Sequence, residues 1–259
     1  MLDVTFEQSA LTDLKYFQQT RTCKQACGTV IFVQGLFEEL NQNRHAFNGM
    51  AQKLTTHNFN TILYDAFGTG DSEGDLSDVS LLLWQKQLYE VVQKAQQQYK
   101  TPVSIIVFGS GALLLSEEVS KCASYIQLWQ PEFSGKKLTK NLNRLAILNQ
   151  MPINEGDELI DVSGYQVPKL LWQSLNQYLP PEFANFADKT DWFEFIDNAQ
   201  QQVPSLRLKL AHSVFGESFS IDSIVQSKYW LASELIQPEA LWARATTAIE
   251  AGAKESADE

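Results

Sequence analysis

Short apolar runs alternate along the chain with longer stretches in which apolar residues recur every three or four positions, the two periods of strand and amphipathic helix. Residues 14–17 (LKYF) and 28–33 (GTVIFV) read as strands, the second rich in β-branched residues and ended by Gly35. Residues 45–54 predict a helix, and 61–64 a buried strand closed by Asp65. Over 79–98, Leu82, Leu83, Leu88, Val91, Val92 and Ala95 recur at helical spacing opposite a Gln- and Lys-rich face, which predicts an outer crossover helix. A strand at 103–108, a helix at 111–121 and a strand at 125–129, stopped by Pro131, follow. This alternation predicts a mostly parallel, doubly wound α/β sheet with both faces covered.

The rhythm breaks between Gly135 and Pro181. A Lys- and Asn-rich helical segment, a Gly-Asp turn, a strand at 159–162 and a short helix read as a small cap insertion over 135–181. The regular pattern resumes with strand 192–196, helix 206–213, strand 221–225 and a closing helix at 238–251. The expected organisation is a core of 1–134 and 182–251, the cap insertion, and a polar, disordered tail over 252–259.

A chain of 259 residues, 44% hydrophobic and 20% charged, can bury a single large core. Its formal charge of -11 argues against general affinity for nucleic acid or anionic membrane, because phosphate binding needs clustered Lys and Arg. Cys23, Cys27 and Cys122 read as reduced thiols; no His or second Cys pair stands near the first two, so no metal site is expected. The first residues carry acids and no apolar segment, and no run approaches the roughly 20 apolar residues of a membrane span, so a cytoplasmic protein without a transmembrane segment is expected. There is no phosphate-binding loop, and Gly68-Thr69-Gly70 lacks the third glycine and the helix of a dinucleotide site, so no cofactor is expected.

DAFGTGDS, Asp65 to Ser72, follows a buried strand, lies one strand after 30–35 and one helix before VFGSG. In that order it resembles the D-x-x-G-x-G-x-S segment of the α/β-hydrolase superfamily. GLFEELNQNR from Gly35, LWQPEFSGKKLTKNLNR from Leu128, DVSGYQ from Asp161 and YWLASELIQPEALWARATTAI from Tyr229 together resemble the exosortase A system-associated hydrolase 2 family, a set of α/β-hydrolase relatives. The resemblance implies an α/β-hydrolase-like fold in a bacterial cytosolic protein, associated with extracellular polysaccharide synthesis and the sorting of tagged exported proteins. It assigns no reaction.

A nucleophile elbow G-x-S-x-G carries its serine two residues after the first glycine. With Gly109 as that glycine the tip falls on Gly111, Ser110 takes the variable position and Leu113 stands where the second glycine belongs. Making Ser110 the nucleophile slips the register and puts Phe108 where a small residue is usual, at a packing cost of about 1–3 kcal/mol. Otherwise Ser110 is a turn serine or a helix N-cap. The expected histidine corner holds Lys228, Tyr229 and Trp230. Of His45, His57 and His212, only His212 lies in the later part of the chain, and it precedes the last strand. Asp197 follows strand 192–196, where a triad acid often sits, and equally reads as a solvated cap.

Gln34, Gly35 and Leu36 occupy the place of backbone oxyanion donors, with Glu38 and Glu39 beside the same mouth and Arg44 available to pair with one of them. With Ser110 and Gly111 they form a candidate ligand-binding set, since pockets in open α/β sheets form outside the carboxyl ends of the strands. Three readings remain open: a protein without a complete Ser-His-Asp triad that binds a small acyl or ester ligand or a protein partner; an esterase or thioesterase using Ser110, His212 and Asp197; and a scaffold without a small-molecule ligand.

Overall fold

The computed structural model describes residues 1–148, 158–162, 164–232 and 234–258, with 254–258 as backbone only. The elements run β1 (Leu2–Gln8), β2 (Lys15–Arg21), β3 (Gly28–Val33), α1 (Glu38–Thr56), β4 (Phe59–Tyr64), α2 (Leu81–Tyr99), β5 (Val103–Phe108), a 3-10 turn (Gly109–Leu114), α3 (Glu117–Cys122) and β6 (Tyr125–Trp129). They continue with α4 (Gly135–Leu148), β7 (Leu159–Val162), β8 (Tyr165–Pro168), α5 (Lys169–Gln177), β9 (Thr190–Ile196), α6 (Ser205–Phe215), β10 (Asp222–Val225) and α7 (Glu239–Asp258).

Eight strands form one sheet in the order β1-β2-β4-β3-β5-β6-β9-β10. Pairs β1/β2 and β2/β4 are antiparallel; all the others are parallel. Successive side chains of a strand point to opposite faces, so the central strands feed two cores. Ile31, Val33, Ile105 and Val107 pack with Leu88 and Val91 of α2, whereas Val30, Phe32, Ile106 and Phe108 pack with Phe47 and Met50 of α1 and Leu241 of α7. The mostly parallel, doubly wound α/β sheet expected from the alternation is therefore present.

Between β6 and β9 the chain leaves the sheet for α4, the antiparallel β7/β8 hairpin and α5. Gly135 lets α4 start against α5: a methyl there would stand 2.0 Å from the Leu175 carbonyl oxygen. The Gly-Asp turn read from the sequence, at Gly156, lies outside the described residues.

Several elements depart from the sequence expectation, among them the following. Strand β1 was not expected, although Leu2, Val4 and Phe6 alternate with polar residues; these three side chains are exposed, on the sheet's edge. Helix α1 begins at Glu38, seven residues before 45, because Phe37 turns the chain with φ 56° and ψ -127°. The helix expected at 111–121 is a 3-10 turn, an extended break, and the short α3, whose start is fixed by the Val119 N–H donating to Ser116 Oγ at 3.3 Å. Helix α7 runs to Asp258, beyond 251, where a polar tail was expected.

Candidate functional site

β5 ends at Phe108, and the next residue, Gly109, has φ +54°. That left-handed conformation favours glycine, since a Cβ there costs roughly 1–2 kcal/mol. Gly109, not Gly111, is thus the sharp turning point between strand and 3-10 turn, and the register read from the sequence is corrected by two residues. Gly111 has a different reason to be glycine: a Cβ would stand 2.5 Å from the Gln34 carbonyl oxygen, where the β3 loop crosses.

The direction in which a side chain at Gly109 would project is occupied by Glu39. A Cβ on Gly109 would lie 2.4 Å from Glu39 Oε2, and one on Gly35 2.5 Å from the same atom. The Ser110 N–H donates to Glu39 Oε2 at 2.8 Å, and Ser110 Oγ–H donates to the same oxygen at 2.7 Å. Ser110 Oγ in turn accepts the Leu36 N–H at 2.8 Å. The amides of Ser110 and Leu36 are therefore committed to internal acceptors.

Phe37 makes this arrangement possible. Its positive φ, in a residue with a bulky side chain, costs on the order of 1–3 kcal/mol and swings the first turn of α1 so that Glu39 faces the elbow. The buried Phe37 ring packs edge-on against Tyr165 of β8, and the Tyr165 hydroxyl donates to Glu38 Oε2 at 3.2 Å.

Burial raises the Glu39 carboxyl above the usual carboxylate range; the Ser110 hydrogen bonds and Lys137 act in the opposite direction, and Glu132 adds to the rise. The folded state therefore holds this proton to higher pH than the unfolded chain does. The stability linked to it is complete below the unfolded value and is lost as pH rises through the folded one. Glu39→Gln removes the titration, so the variant should gain stability relative to the parent between about pH 4 and pH 8. Urea unfolding at the two pH values measures this; a difference independent of pH would contradict it.

A cleft of about 160 Å³ opens beside Glu39 and Gly109, between the elbow and α4. Gln130, Glu132, Lys137, Asn141, Arg207 and Trp230 complete its walls with Phe108 and Leu138. At its side, Glu194 of β9 and Arg207 of α6 form a buried pair: Arg207 Nε donates to both carboxylate oxygens at 2.9 Å. The same carboxylate accepts Gln130 Nε2 at 3.0 Å and Trp192 Nε1 at 2.9 Å, and the guanidinium lies over the Trp192 ring.

The other sequence candidates have different duties. Arg44 pairs with Asp65 at 3.0 Å, not with Glu38 or Glu39. Asp65 also accepts Gln34 Nε2 at 3.0 Å and the Asp71 N–H at 2.9 Å, so it organises the DAFGTGDS loop. Gln34, Gly35 and Leu36 line a pocket of only about 20 Å³. Among the described residues, no hydrogen bond or ion pair joins any two of Ser110, His212 and Asp197. Asp197 is exposed, its N–H donating to Gln201 Oε1, and His212 is half-buried on α6. His57 pairs with Glu250, and the His45 ring meets the Ile236 carbonyl.

Of the sequence candidates only Glu39 lines the larger cleft. The sequence reading passed over Gln130, Glu132, Lys137, Asn141 and Arg207 as site residues, and took Trp230 as an occupant of the histidine corner and one of the aromatics filling the core and cap pocket. Two signals were available: Glu194 is a lone charge within the apolar strand WFEFI, and Arg207 a basic residue in an apolar helix run. Among the described residues no group of three or more His, Cys, Asp or Glu side chains could hold a metal ion, and no helix is long and apolar enough to cross a membrane.

Comparison with solved structures gives the same fold in several hydrolases. Est1E from Butyrivibrio proteoclasticus, determined with ferulic acid bound, matches with a TM-score of 0.65 at 14% identity, over 97% of this chain and 98% of that one. A carboxylesterase of the ammonia-oxidizing thaumarchaeon Nitrososphaera gargenis matches with a TM-score of 0.64 at 12% identity, over 97% and 100%. Alpha/beta hydrolase domain-containing protein 10 from mouse matches with a TM-score of 0.58 at 14% identity, over 96% and 97%. No family model matches the sequence, and no curated protein matches it. The chain has the α/β-hydrolase fold; at these identities the likeness speaks for the fold alone.

Proposed function

We propose that this chain is a binding protein on the α/β-hydrolase fold, without serine-based ester hydrolysis, and that its ligand occupies the cleft between the elbow and α4. The observation that carries this reading is the Glu39 carboxylate standing 2.4 Å from where a Gly109 side chain would begin. An acyl-transfer enzyme needs a hydroxyl there and free amides facing a developing oxyanion. Here the turning residue has no side chain, and the Ser110 amide is held by a carboxylate. On this reading 135–181 is a cap over the ligand, and the cytoplasmic, exosortase-associated setting implied by the sequence resemblance is retained, with a protein partner as a further element of that setting.

The Ser110 hydrogen bond to Glu39 favours one alternative, a Ser-Glu dyad in which the carboxylate takes the serine proton. Against it, Ser110 is fully buried and contributes nothing to the cleft walls. Intact-mass analysis after incubation with a fluorophosphonate decides between them, together with an assay for p-nitrophenyl acetate and an acyl thioester. The expected outcome is no adduct and no hydrolysis above that of Ser110→Ala. A stoichiometric adduct on Ser110, absent in Ser110→Ala, would overturn the binding reading.

A further inference from the structure

We propose that the cleft takes its ligand through an ammonium group, which pairs with the outer oxygen of Glu39 while the carbon atoms next to it lie against Trp230. The proposal rests on the binding reading above and names the chemistry of its ligand.

The argument is a charge balance over the cleft walls. Lys137 is answered by Glu132, and Arg207 by Glu194. Gln130 is spent at both ends, its Nε2 on Glu194 and its Oε1 on the Phe195 N–H. Both bonds that Glu39 receives from Ser110 fall on Oε2. Among the described residues, Glu39 is thus the cleft carboxylate without a cationic partner in ion-pair contact, and its Oε1 accepts no hydrogen bond.

With Glu39 ionised, the state tested below at pH 8, a ligand carboxylate or ester carbonyl in this position would set oxygen against oxygen. A hydroxyl would satisfy the free lone pairs and leave the charge uncompensated. An ammonium group does both, which is what a partly desolvated carboxylate requires. The second wall suits the same group. Trp230 is half-buried and fixed by ring contacts with Phe108 at 5.2 Å, Tyr229 at 5.3 Å and Phe195 at 5.7 Å. An indole lining the same cleft as an anion is the environment in which cation–π attraction can add to an ion pair. At about 160 Å³ the cleft has the volume of roughly five waters, near ~30 Å³ each, enough for a head group and a short chain.

The test is a titration of the full chain at pH 8 with n-butylammonium, n-butanol and butyrate, read from the Trp230 indole N–H resonance and by calorimetry. The amine should bind at least about tenfold more tightly than the alcohol, and butyrate should not compete. Glu39→Gln should abolish the preference for amine over alcohol, and Trp230→Ala should weaken amine binding several-fold; cooperative unfolding of both variants shows that they fold. Equal binding of amine and alcohol, a preference surviving in Glu39→Gln, or no binding of the amine would overturn the proposal. Fluorophosphonate treatment of the same preparation separates the two failures. An adduct on Ser110 refutes the binding reading itself, whereas a missing amine effect without an adduct refutes only the ammonium assignment.

Discussion

Replacing Arg207 by Ala should cost about 3–5 kcal/mol of stability, the range for removing one partner of a buried ion pair. Glu194 is buried to 2% exposure and Arg207 to 8%, and the guanidinium is the only positive charge on that carboxylate among the described residues. Gln130 and Trp192 would still donate to Glu194, but two neutral donors do not compensate a charge in a site of low polarity. The variant should therefore unfold at markedly lower urea concentration. The double variant Glu194→Gln, Arg207→Met should recover most of the loss, because neutral groups of similar volume remove the uncompensated charge. Urea denaturation of the three proteins measures this, and an Arg207→Ala cost below about 1 kcal/mol would show the pair to be solvated like a surface bridge.

Gly109→Ala should be the next most damaging single change. The left-handed backbone contributes roughly 1–2 kcal/mol of strain to any residue with a Cβ. Contact with Glu39 Oε2 at 2.4 Å adds an overpacking cost of about 1–3 kcal/mol, since the carboxylate is fixed by Ser110. Alanine is the smallest side chain available, so Gly109→Ser, which would place a hydroxyl at the turn, meets the same obstruction. A side chain fits at residue 109 only if Glu39 moves.

How far each feature could be read from the chain depended on whether it was local. The sheet's central strands are short apolar runs buried on both faces, and GTVIFV and VSIIVF declare themselves by composition. β1 does alternate, with Leu2, Val4 and Phe6 against Asp3, Thr5 and Glu7, and the reading passed over it; the exposure of those apolar residues on the edge strand was not legible. At the elbow, the glycines at 109 and 111 are visible in the sequence, but their separate reasons are not. One is a backbone dihedral, and the other is the approach of a loop 75 residues or more away in sequence. Glu39 was noticed as an acid near the mouth, yet its direction depends on Phe37, whose positive φ no propensity would assign to a phenylalanine. The Glu194–Arg207 pair joins a strand to the helix after it, and only the isolated charge in an apolar run hinted at it.

The interaction between residues 39 and 109 tests the central claim most directly, through a double-mutant cycle of Glu39→Ala and Gly109→Ala measured by urea unfolding at pH 7. If the carboxylate fills the space beyond Gly109, alanine at 109 should cost about 2–5 kcal/mol in the parent and only the backbone strain of roughly 1–2 kcal/mol in the Glu39→Ala background. The same alanine cost in both backgrounds would mean that Glu39 stands elsewhere and that the elbow is open.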